Sequence, residues 1–342
     1  KDTNNLDIIL ISAIVLAAFL ALNIGANNSA ASMATAYGAG VRTKKQAVII
    51  IAVFALLGAL IAGAPVVNTI GKDIVPSEVL SSHIGLVLII FIIASFFVTW
   101  ANVAKIPIAT THAIVCAIAG VGLYSSALNT DKFFEILVWW VAAPLVAWII
   151  NFLAAKYLYF KTLKFLTERY SEKSINRILM ILITISGTFL AFSAGANNSA
   201  NAVGPLVGLG LIGSYQGAII AGVAMGVGAI LFGGRVLETV GKEITEICIL
   251  RAVSVEFTGA TLILIASFSG IPVSIAEIIT SGIIGFSCAQ QGFGVTARNR
   301  HVIRIAFFWI VIPFVAIAMG YGLSSLYFTY NVGEFITMNF GL

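Results

Sequence analysis

The segment GANNSAAS (25–32) recurs as GANNSANA (195–202), and the reading of this pair decides the fold. Gly25 to Ser29 and Gly195 to Ser199 are identical and lie 170 residues apart. The same offset aligns NTIGKDI (68–74) with ETVGKEI (238–244). After a contraction of five residues, Pro107 matches Pro272 and Gly120 matches Gly285. Landmarks in one order at near-constant spacing mark an internal duplication.

The chain around these motifs is strongly apolar. Of its 342 residues 60% are hydrophobic and only 10% charged, with mean hydropathy +1.05. Soluble domains carry about 25% charged residues, so the composition specifies a multi-pass membrane protein. A crossing helix needs about 20 apolar residues. Ten runs qualify: 7–40, 46–64, 84–104, 110–128, 133–160, 178–210, 215–232, 250–270, 272–290 and 303–328. The first and sixth exceed one straight crossing, and each contains the Gly-Ala-Asn-Asn motif, which predicts a helix joined to a shorter helical segment. Runs 110–128 and 272–290, rich in small and polar residues, fit re-entrant hairpins.

Lys and Arg concentrate in cytoplasmic loops. With both termini outside, only Lys1, Lys72 and Lys132 face out, and the other 16 of 19 basic residues border the cytoplasm. Topology thus accounts for the basic clusters, and nucleic acid is not an expected partner. Five crossings separate the two GANNSA segments, an odd number, so the halves are expected to run oppositely through the bilayer. The expected fold is all-α, an inverted repeat of two five-span halves with broken helices. Its parts are 1–160, an amphipathic cytoplasmic linker at 161–177, and 178–342. Secondary transporters of this architecture bind substrate and ions near the midplane, where interrupted helices of the two halves meet.

Backbone that leaves a helix inside the bilayer must be buried in protein or line a cavity. Free N–H groups at such a break attract an anion, whereas carbonyl and Asn side-chain oxygens suit a hard cation. Asn28, Ser29, Asn198 and Ser199 are therefore candidate anion ligands. Asn27, Asn197, Asn201 and Asn23 are candidate sodium ligands, joined by Glu256, because an intramembrane carboxylate is a functional candidate by default. Thr110 and Thr111, adjacent hydroxyls after Pro107, can donate to an oxyanion. His112 is expected to satisfy a local hydrogen bond, and Glu277 to pair near a span end. The three cysteines, Cys116, Cys248 and Cys288, lack the spacing of a disulfide framework or metal cluster. A P-loop, a Ser/His pair and a carboxylate dyad are absent from the sequence, so an enzyme or an ATP-driven pump is not expected.

At these residues the chain resembles the inorganic phosphate transporter (PiT) family, which carries Gly-Ala-Asn-Asp in each half and a Pro-x-Ser-Thr-Thr-His stretch. The matching residues are Gly25 to Ser29, Gly195 to Ala202 and Pro107 to His112. The resemblance implies cation-coupled phosphate uptake, homodimers, and signature segments that form the substrate and ion sites. Three departures stand out: Asn28 and Asn198 replace the signature Asp, Ala109 replaces Ser, and the second Thr-Thr-His copy has decayed to Pro272-Val-Ser274-Ile-Ala-Glu277. Moving one charge across 100 mV is worth about 2.3 kcal/mol. Importing a dianion against a negative interior therefore calls for at least two monovalent cations. Amide, hydroxyl and carbonyl oxygens hold sodium rather than relay protons, so sodium-coupled phosphate symport is the expectation, with no organic cofactor. The alternatives are a proton-coupled phosphate or metal-phosphate symporter, and a sodium-coupled transporter of another oxyanion.

Overall fold

A computed structural model describes residues 2–104, 109–235, 237–238 and 249–330, with the backbone alone described at 2–9, 29–31, 101–104 and 301. No strand occurs among the described residues, and all ten apolar runs are helical there. The main helices of the first part are α1 (Asp2–Gly38), α2 (Lys44–Ala62), α3 (Ala64–Asn68), α4 (Ser77–Ser82), α5 (Ile84–Ala104), α6 (Thr110–Tyr124) and α7 (Thr130–Leu153). After α8 (Tyr159–Arg169) follow α9 (Glu172–Gly208), α10 (Ser214–Gly228), α11 (Ile249–Phe268), α12 (Ile275–Gln291), α13 (Phe293–Ala297) and α14 (Arg300–Thr329). Among the described residues, seven helical segments are long and apolar enough to cross a membrane. By contrast α6 and α12 have only 15 and 17 residues, about 22 and 26 Å of helix, short of the ~30 Å hydrocarbon layer.

One expectation needs correction. The Gly-Ala-Asn-Asn segments do not break their helices: α1 and α9 run unbroken through them, 37 residues each. The glycines serve close packing instead. A Cβ at Gly25 would collide with the backbone carbonyl of Met225, and one at Gly195 with that of Ala55. The asparagines find partners on neighbouring helices, so the backbone need not unwind to satisfy them. The expected linker at 161–177 takes in most of α8 and the start of α9. Helix α8 covers its first part, and Ser171 caps the nitrogen of Ser174 to start α9, leaving Tyr170 and Ser171 as the connection.

Packing repeats with the sequence. The Gly25–Met225 and Ala55–Gly195 contacts are one contact with both residues shifted by 170 and the halves exchanged, and Gly58–Phe192 and Leu22–Gly228 form a second such pair. Gly120 of α6 abuts the Ile317 carbonyl of α14, while Gly285 of α12 abuts the Trp148 carbonyl of α7. Each short helix thus seats on a long helix of the other half. Helices α1 and α9 are antiparallel: Asn28 meets Asn198, and further along α1 the Ser32 carbonyl meets Gly187. Reciprocal contacts of this kind are isologous, the pattern of a two-fold interface. Helices α7 and α14 expose Phe134, Val141, Leu145, Ile310 and Phe314, an apolar face suited to lipid.

Candidate functional site: an asparagine cluster between the repeated helices

Side chains three apart on a helix share a face, whereas neighbours do not. On α9 Asn198 and Asn201 meet α1 and α6, whereas Asn197, four residues before Asn201, reaches the segment that leads into α12. Asn198 Nδ2 donates to Asn28 Oδ1 of α1 at 2.9 Å, so the two repeat mates touch directly. Asn201 Nδ2 donates to Thr111 Oγ1 of α6 at 3.0 Å and lies 3.4 Å from Asn198 Oδ1. Thr111 in turn donates to the Val273 carbonyl at 3.1 Å. All four polar residues are at most 5% exposed. Asn28 Nδ2 and Asn201 Oδ1 have no hydrogen-bond partner among the described residues. The cluster therefore holds one unused donor and one unused acceptor in a closed, buried patch. Helix α6 begins beside it, and among the described residues no side chain caps its first turn, so no described side chain occupies the leading N–H groups.

Asn197 reaches the segment that leads into α12 and closes the second half's counterpart of this helix start. Its amide donates to Ser267 Oγ at 3.1 Å and the Ile271 carbonyl at 3.0 Å, and its Oδ1 accepts from Val273 N at 2.9 Å. Trp140 Nε1 donates to the Pro272 carbonyl at 2.8 Å. Ser274 caps Glu277 N at 3.3 Å, so the α12 start is internally satisfied where the α6 start is not.

Ser199 donates back to the Ala196 carbonyl. Thr110 is half-buried and Asn27 exposed, while the amide of Asn23 bonds the Phe19 carbonyl at 2.8 Å. The side chain of Ser29 lies outside the described residues, as do Pro107, Cys248 and the second copy of the NTIGKDI motif from residue 239 onward. Glu256 is buried and accepts from Ser186 at 2.5 Å and from Thr35. Ser186 sits twelve residues before Asn198 on α9, about 18 Å along its axis. Glu256 therefore belongs to a second polar site; Ser32, three residues before Thr35 on α1, carries a buried hydroxyl with no partner among the described residues. Among those residues no group of three His, Cys, Asp or Glu could hold a metal ion.

Sequence reasoning missed a buried His–Glu contact. His112 Nδ1 and Glu277 Oε1 lie 3.1 Å apart, both nearly fully buried. A usable signal existed: the 165-residue offset that matches Pro107 to Pro272 also matches His112 to Glu277, making them repeat mates like Asn28 and Asn198.

Comparison with known proteins agrees with this geometry. A family model described as "Phosphate transporter family" matches residues 24–320. A protein named "Sulfate permease CysP", from Bacillus subtilis (strain 168), is 38% identical over 321 residues, covering 93% of this chain and 88% of its own length. A solved structure named "The sodium-dependent phosphate transporter" superposes with a TM-score of 0.78 at 26% identity, covering 93% of this chain and 98% of that one. The matched region takes in both Asn motifs, the Thr111 helix and the Glu277 helix, and the chain belongs to the phosphate transporter family.

Proposed function

We propose that this chain is a cation-coupled importer of a tetrahedral inorganic oxyanion, working by alternating access in the cell membrane with α8 on the cytoplasmic side. The observation that carries the reading is the buried Asn28–Asn198 hydrogen bond between the repeated helices, beside the uncapped start of α6. Asn28 Nδ2, Thr111 Oγ1 and the first N–H groups of α6 bind the anion, and the unpartnered Asn201 oxygen faces a cation. The reciprocal contacts between halves support an inverted repeat, in which α1 and α9 part at the Asn pair towards one side or the other. Phosphate as substrate is supported by the family. Sodium as the coupling ion is supported by the solved neighbour, which is named as sodium-dependent. Two sodium ions offset the ~4.6 kcal/mol that 100 mV imposes on a dianion, and a third makes the potential drive uptake. Glu256, with Ser186 and Ser32, is the second place where sodium binds.

A second reading, sulfate, is favoured by the Asn pair itself. Phosphate carries at least one proton at neutral pH, and a carboxylate accepts it. Sulfate carries none and asks only for donors, which the amides at positions 28 and 198 supply. The 38%-identical relative bears the name of a sulfate permease. Purified protein in proteoliposomes, given radiolabelled phosphate or sulfate under separate sodium and pH gradients, tests both readings. Gradient-driven accumulation of one oxyanion, competed by the other, supports the proposal. Accumulation of neither overturns it.

A further inference from the structure

We propose that His112 and Glu277 form a proton-carrying site of the transport core, so that a proton moves together with the oxyanion. This inference rests on the oxyanion reading above. The pair is set between the halves, His112 on the first turn of α6 and Glu277 on the first turn of α12, with Nδ1 and Oε1 3.1 Å apart. The two atoms lack the alignment of a hydrogen bond, and neither ring nitrogen nor Glu277 Oε1 bonds to any other described residue. All of them are thus free to gain or lose a proton without breaking a network. The Trp140 ring lies over the imidazole, centroids 3.8 Å apart and 33° between planes. Its N–H is tied to the Pro272 carbonyl, which fixes the face presented to His112. An imidazolium there meets both a carboxylate and an indole face.

Position links the pair to the anion. Thr111 precedes His112 and joins Asn201 and, through it, the Asn28–Asn198 contact. Buried ion pairs are often no more stabilising than the apolar residues that could replace them. Helix docking therefore gives no reason for charge at this place, whereas proton transfer does. Few other charged groups lie on the packed helices; Glu256 of α11 accepts from Ser186 of α9 and from Thr35 of α1. On α6 the nearest titratable side chain is Cys116, one turn on, and Glu277 is the sole charged residue of α12. Helix α7 carries charges only in its first turns, where Lys132 bonds Glu135, and α9 only between Glu172 and Arg177. On α11, Arg251 bonds Ser287 and the Ile283 carbonyl. Helix α5 has no charged residue, and α14 has only Arg300 and Arg304, at its start, in addition to His301. In the cycle a proton from the outer solution adds to the pair as the anion binds, and the same proton leaves to the inner solution with it. No other bond forms or breaks.

Proteoliposomes with equal sodium on both sides and an inward pH gradient test this, with radiolabelled sulfate and phosphate as probes. A gradient of one unit is worth about tenfold in accumulation per coupled proton. The parent is expected to approach that ratio. Glu277→Gln should lose the gradient-driven accumulation yet retain exchange of labelled for unlabelled anion, which needs no net proton movement. The exchanged pair, His112→Glu with Glu277→His, should restore the pH response; if Glu277→Gln fails to exchange, this variant decides. A parent that exchanges but ignores the pH gradient overturns the proton site and leaves the oxyanion reading intact. So does Glu277→Gln accumulating like the parent, or the exchanged pair exchanging with no pH response. A parent that neither exchanges nor accumulates either anion overturns the oxyanion reading instead.

Discussion

Replacing Asn197 by Ala separates a structural pin from an ion ligand. The side chain is fully buried and makes three hydrogen bonds of 3.1, 3.0 and 2.9 Å to Ser267, Ile271 and Val273. Interhelical hydrogen bonds in membranes average about 0.6 kcal/mol and reach about 1.7, so three of them amount to about 2–5 kcal/mol. The loss strands the Ile271 carbonyl and the Val273 N–H in the segment that leads into α12. A central value of about 3 kcal/mol is on the order of a hundredfold in the unfolding equilibrium. Titration with a denaturing detergent, followed by circular dichroism, measures this shift. The sodium concentration for half-maximal uptake, measured in parallel, should stay within about twofold, since an amide already committed to three partners is a poor ion ligand. Asn27→Ala, at an exposed position, should change stability by less than about 0.5 kcal/mol. An Asn197→Ala protein as stable as the parent but with a strongly displaced sodium curve would refute the reasoning.

Three further outcomes follow from the same geometry. Thr111→Val keeps the shape but removes the donor to Val273 and the acceptor for Asn201; it should raise the apparent oxyanion KM about tenfold, the worth of one hydrogen bond of ~1.4 kcal/mol. Gly25→Ala and Gly195→Ala each drive a methyl group into a backbone carbonyl that cannot swing aside; both should lower the melting temperature in detergent, with a destabilisation of about 1–3 kcal/mol or more. Asn28→Asp with Asn198→Asp adds acceptors for a phosphate proton and repels sulfate; competition uptake should shift towards phosphate by about tenfold or more, since unpaired or like-charged polar groups discriminate strongly.

Much of the architecture was legible because the bilayer imposes simple rules. A hydrocarbon layer favours long apolar helices, and the ten runs read from hydropathy are helical as α1, α2, α5, α6, α7, α9, α10, α11, α12 and α14, although α6 and α12 are shorter than a crossing. The shortness of α6 and α12 was visible in their small and polar residues. The candidate site was half legible. The motifs marked Asn28, Asn198 and Thr111, but they also marked Ser199 and Asn197, whose side chains turn elsewhere. Which neighbouring segment each amide meets accounts for the difference: Asn198 reaches Asn28 of α1 and Asn197 the backbone that leads into α12, which spacing along α9 does not specify.

The chain alone determined its solvent, its duplication and the helices that repeat, since each is a property of local composition or of spacing between residues. The tertiary structure decided which polar groups meet. Asn28 and Asn198 are 170 residues apart, and His112 and Glu277 are 165 apart, so neither contact has a local signature. It also decided that Gly-Ala-Asn-Asn stays helical. A buried amide in lipid must find a partner, and a neighbouring helix supplies one more cheaply than a break in the backbone would.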